Sequence, residues 1–138
     1  MTGRFELRDH TADVAVAARG STLDTAFAAT ADGLTAAMCD DYPPGGDRFE
    51  LAVRESTLET LLFSYLDELI YQRDVRGVLP CDHAAAVTGT ADEWEITASA
   101  RGLPLDAVAA RGVKAVTYSQ LSVTRTDDGW ETYVVFDV

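Results

Sequence analysis

Lysine is almost missing from this sequence: Lys114 stands alone beside ten arginines, against 23 aspartates and glutamates. The net charge of −12 over 138 residues repels phosphate, so autonomous binding of RNA or DNA is not expected, nor is adsorption to an anionic membrane. Scarce lysine with abundant aspartate points to adaptation to high salt, where self-repulsion is screened, and predicts loss of structure in dilute buffer. Cysteine is also scarce. Cys39 and Cys81 lie far apart, outside any Cys-x-x-Cys pair, and are expected to be reduced, buried hydrophobes rather than a disulfide or zinc site. No apolar run approaches the roughly 18–20 residues that cross a bilayer, and the opening residues carry no apolar signal segment. A cytoplasmic, soluble protein is the expectation. Phosphate-loop, dinucleotide-fingerprint and nucleophile-elbow motifs are all lacking, and two histidines give little material for a catalytic triad. An independent metal-dependent hydrolase is disfavoured because no nucleophile or general base stands out.

What is present is strongly periodic, and 138 residues suffice for one domain with a single core. Residues 4–7 and 13–18 read as strands around a polar turn at 8–12. Leu23, Ala26, Phe27, Thr30, Leu34, Ala37 and Met38 recur at helical spacing, with Ser21 or Thr22 as cap and Gly33 as a weak point. Residues 40–47 form a loop and 49–53 a strand. Ser56 and Glu59 suggest a capping box ahead of a second helix, whose stripe Leu58, Leu61, Leu62, Tyr65, Leu66, Leu69 and Ile70 reads as core and ends near Asp74. Beyond it, residues 75–80, 83–88, 94–100, 113–117, 121–126 and 130–137 read as strands, with Asp127-Asp128-Gly129 as a tight hairpin turn. Residues 103–112 are ambiguous between a turn of helix and a loop. These elements imply an α+β, two-layer sandwich of two helices on one mostly antiparallel sheet.

Three constellations could carry chemistry. Asp9-His10-Thr11-Ala12-Asp13 brings two carboxylates and an imidazole into one turn, where oxygens suit hard cations, although a polar turn bonding its own backbone uses the same residues. At the C-terminus, Asp137 is followed by the α-carboxylate of Val138, two anions that repel unless a cation intervenes. Lys114 offers a compact ammonium that arginine does not imitate. His83, beside Asp82, reads as structural or exposed, and Trp94 and Trp130 as sheet packing.

In Asp9-His10-Thr11-Ala12-Asp13-Val14 the chain resembles the archease family. The likeness continues through residues 20–27, through Leu61-Leu62-Phe63-Ser64-Tyr65-Leu66-Asp67-Glu68-Leu69-Ile70-Tyr71, through Val113-Lys114-Ala115-Val116-Thr117-Tyr118, and through Val135-Phe136-Asp137-Val138. Each block is modest alone, but together they span nearly the whole chain in the family's order. The resemblance implies an SHS2-like strand–helix–strand–strand fold. It also implies a divalent-cation site (calcium, magnesium or manganese) made by Asp13, Asp137 and the Val138 carboxylate. Asp9, His10, Lys114 and Tyr118 would support that site or touch a partner. Many members follow the tyrosine with histidine, whereas Ser119 stands here, so no histidine role transfers. The implied function is accessory rather than catalytic: activation of an RtcB-type RNA ligase of tRNA splicing, promoting its guanylylation and multiple turnover. A chaperone or specificity modulator of a tRNA methyltransferase is the alternative.

Overall fold

Each helix starts at a pair of threonines three residues apart. Thr22 Oγ1 accepts the Thr25 amide while Thr25 Oγ1 accepts the Thr22 amide, and Thr57 and Thr60 repeat the arrangement. The second cap therefore falls one residue after the Ser56 start read from sequence. A threonine at each position satisfies two orphan amides reciprocally, as a Ser/Glu box would. The computed structural model describes residues 3–10 and 13–138, with the backbone alone for residues 8–10. The chain runs β1 (Arg4–His10), β2 (Asp13–Gly20), α1 (Leu23–Met38), β3 (Asp47–Glu55), α2 (Leu58–Arg76), β4 (Val78–Thr90), β5 (Glu93–Pro104), β6 (Ala115–Thr126) and β7 (Gly129–Asp137).

All strand pairs are antiparallel, and the strands divide into two sheets, β1-β2-β7-β6 and β3-β5-β4. The α+β class and two helices packed on antiparallel strands are as read from sequence, but the single sheet expected there is two sheets. The division follows from α1, which packs on both β2 and β4. Ten of its 16 residues are buried, mostly alanines and other small side chains, so strands can close on it from two sides. Gly33 belongs to this packing: a Cβ there would collide with Val16 of β2. What looked like a weak point in the helix is a site of close approach to β2.

Helix α2 buries Leu61, Leu62, Tyr65, Leu66, Leu69 and Ile70, the stripe expected from periodicity. It runs two residues past Asp74 and stops at Gly77, whose left-handed conformation (φ 66°, ψ 38°) ends the helix before β4 begins. The two interruptions read between neighbouring strands are irregularities within single strands. β4 shifts register between Cys81 and Ala84, with Asp82 at φ 55°, and β6 between Thr117 and Ser122, with Gln120 at φ 60°. Thr126 pairs with Gly129 across the expected tight turn. Both cysteines are buried and free, and Trp94 and Trp130 pack against the core. Among the described residues, no helix is long and apolar enough to cross a membrane.

Candidate functional site

The register of the four-stranded sheet decides where its carboxylates meet. Asp13 of β2 lies directly opposite Asp137 of β7, His10 of β1 opposite Asp13, and Ala115 of β6 opposite Asp137. These four positions form one row across one end of the sheet. Directly opposed residues of an antiparallel pair project from the same face with Cβ atoms roughly 4.5–5.5 Å apart, where like charges destabilise each other. Asp137 is exposed and Val138, the next residue, is 41% exposed.

Lys114 joins this end through its backbone, whose amide donates to Asp137 O at 2.7 Å, and its side chain is exposed. Tyr118 lies further along β6, stacked on Phe63 of α2 with ring centroids 3.9 Å apart. Thr11 and Ala12 lie outside the described residues, as do the side chains of Asp9 and His10. Among the described residues no three His, Cys, Asp or Glu side chains are grouped to hold a metal. A cation at this end would therefore need a donor beyond the Asp13 and Asp137 side chains. Val138 is the residue adjacent to Asp137. Carboxylate oxygens suit a hard divalent ion.

Two arginines that carried no signal in the sequence fix this region from behind. Arg73, near the end of α2, donates from Nη1 to Val113 O at 2.7 Å, and its side chain is 14% exposed. Arg111 reaches the C-terminus of α1, donating to Ala36 O and Ala37 O at 3.0 and 3.2 Å and pairing with Asp40 at 3.0 Å. A guanidinium satisfies helix-end carbonyls and complements the negative end of the dipole there. The ambiguous stretch at 103–112 thus holds a short 3₁₀ turn, Leu105–Ala107, followed by a strap to α1 just before Lys114.

A second polar cluster lies where α1 meets the irregularity of β4. Thr35, 1% exposed, has Oγ1 2.8 Å from both Pro80 O and His83 Nε2. With the hydroxyl donating to Pro80 O, Nε2 must donate to the hydroxyl, leaving His83 Nδ1 a bare acceptor. Nδ1 is sheltered and, among the described residues, has no hydrogen-bond partner. Burial, reinforced by Arg48, accordingly pushes the His83 pKa down to about 3, so the ring is neutral at ordinary pH. Asp32 Oδ1 accepts the His83 amide at 3.4 Å, yet burial pushes its carboxyl up to about 6. Of the two readings of His83 from sequence, structural or exposed, the ring takes the structural one.

The archease protein family (MTH1598/TM1083) has a profile that matches residues 5–138. The chain belongs to the archease family. It is 36% identical to protein archease of Thermococcus gammatolerans, over 98% of this chain and 99% of that one. The solution structure of Methanobacterium thermoautotrophicum protein 1598 shares the archease fold with a TM-score of 0.84 at 24% identity, over 97% of this chain and 98% of the other. A crystallised archease from Thermotoga maritima, described as a possible chaperone, aligns with a TM-score of 0.59 at 20% identity, over 96% of each.

Proposed function

We propose that this archease is a non-catalytic activator of an RtcB-type RNA ligase of tRNA splicing, promoting ligase guanylylation and turnover through a divalent cation held by Asp13, Asp137 and the Val138 carboxylate. The observation that carries the reading is the register placing Asp13 opposite Asp137, with Val138 adjacent, in a chain of this family. A bound cation supplies neutralisation of triphosphate charge at the ligase. The chain's own residues hold the carboxylates in a fixed row. β2 and β7 set the spacing, the Lys114 amide ties β6 to the Asp137 carbonyl, and Arg73 anchors the residue before Lys114. The acidic surface suits docking on a basic RNA-handling enzyme and does not require that the chain grip RNA itself.

Single-turnover guanylylation of the cognate ligase tests this. Native chain is expected to stimulate the step and the folded Asp137→Ala variant to leave it at the unstimulated rate; equal stimulation by both would sink the carboxylate mechanism. A second reading, implied by the family resemblance alone, is a chaperone or specificity modulator of a tRNA methyltransferase. That reading predicts altered methylation specificity with no ligase present.

A further inference from the structure

One face of α2 stays at the surface, and its composition is unusual. Asp67, Tyr71, Asp74 and Val75, with half-buried Phe63 packed on the core at one edge, fall within about 120° of arc on the helix. Tyr71 is 57% and Val75 61% exposed, and Tyr118 of β6, stacked on Phe63 at an interplanar angle of 4°, is 56% exposed. Asp67 is exposed and Glu59 lies on the same side one turn before Phe63; neither makes an ion pair among the described residues.

Both cations of the helix are committed, Arg73 partly to Asp74 on this face, which leaves Asp67 and Glu59 as the face's unpaired carboxylates among the described residues. Arg73 bonds Asp74 and Val113 O, while Arg76 bonds Gln72 and lies over the Phe49 ring at 4.7 Å. The face therefore offers aromatic rings interleaved with carboxylates and no uncommitted cation. That combination recognises arginine: the guanidinium plane stacks on a ring while its fork engages a carboxylate.

The face also leads to the carboxylate row. Phe63 fixes α2 beside Tyr118, and Arg73 fixes it beside Val113. Ten helical residues rise about 15 Å and five strand residues about 16.5 Å, so α2 lies alongside residues 113–118. Its later turns end next to Lys114, whose amide holds Asp137.

We propose that this face of α2, together with Tyr118, is the docking surface for an arginine-bearing basic patch on the partner enzyme, seating it so that it reaches Asp137 and Val138. The inference rests on the proposed ligase partnership. Charge argues against a second copy of the chain as occupant wherever salt does not screen it, because two surfaces at −12 repel.

The test is the Kd of the purified cognate ligase for the native chain, measured by calorimetry across salt concentrations, then for Asp67→Lys, Tyr71→Ala and Tyr118→Ala. All three positions are exposed enough for the fold to survive. Asp67→Lys and Tyr71→Ala are each expected to weaken binding roughly tenfold or more, Tyr118→Ala less, and added salt to weaken native binding. Tyr71→Phe, which keeps the ring, should bind as native. In the guanylylation assay the docking variants should reach the native maximum at higher chain concentration, whereas Asp137→Ala should stay unstimulated at any concentration. Native affinity in both Asp67→Lys and Tyr71→Ala would overturn the docking surface while leaving the ligase reading intact. No binding by the native chain would overturn both. A native dimer that Asp67→Lys dissociates would assign the face to self-association instead.

Discussion

Two clusters of acidic and imidazole-bearing sequence sit on this small fold, and they differ in nearly every physical respect. At the end of the four-stranded sheet, Asp13 and Asp137 oppose each other in register beside an exposed terminus. Between α1 and β4, Asp32 and His83 are drawn inward, bonded to Thr35 and the backbone, and have their proton affinities moved by burial. Perturbed proton affinity is often a pointer to function. Here it marks a buried joint that shapes the irregularity of β4. In the row, Asp137 is exposed and Asp13 half-buried, and it is this row that we propose meets a ligand.

The sharpest way to break that contrast is Thr35→Val. It leaves Pro80 O and His83 Nε2 without their shared hydroxyl, and unsatisfied buried groups each cost about 1–3 kcal/mol, so a loss of roughly 3 kcal/mol in denaturant unfolding is expected. A loss below about 1 kcal/mol would remove the cluster's structural role.

Acid titration separates the two residues of the buried joint. Asp32 has a folded pKa near 6 against a reference of 3.8, so its contribution is present below 3.8 and lost as pH rises through 6. His83, at about 3 against 6.5, has the opposite sign: its contribution is present above 6.5 and lost as pH falls towards 3. Asp32→Asn should therefore stabilise the protein by about 1 kcal/mol at neutral pH, after allowance for its partial exposure, with the gain fading towards pH 3.8. A gain independent of pH would contradict the burial account. Asp137→Asn should shift stability by no more than about 0.5 kcal/mol in chelator, since Asp137 is exposed at the surface. A large loss there would make the row structural too.

The sequence made the exposed row visible because its residues sit in short, recognisable blocks at Asp13 and Asp137, and the helices because their apolar spacing is regular. The buried joint was illegible: Asp32, Thr35 and His83 are separated by up to 51 positions, and nothing in Asp-His beside a strand tells which way the ring turns. Arg73 and Arg111 escaped notice for a related reason. Each bonds a backbone carbonyl of a distant segment, and a carbonyl leaves no mark in the sequence. The two-sheet division was hidden likewise, since strand periodicity fixes which face is apolar but not which strand is the neighbour.

We propose that the Asp13–Asp137 row, and not the Asp32–His83 joint, takes a divalent cation. Calorimetric titration of calcium into native chain, Asp137→Asn and Asp32→Asn tests it most directly. A single saturable site is expected in the native chain and in Asp32→Asn, weakened at least about tenfold in Asp137→Asn through loss of a carboxylate donor. Unchanged affinity in Asp137→Asn, or loss confined to Asp32→Asn, would contradict the account.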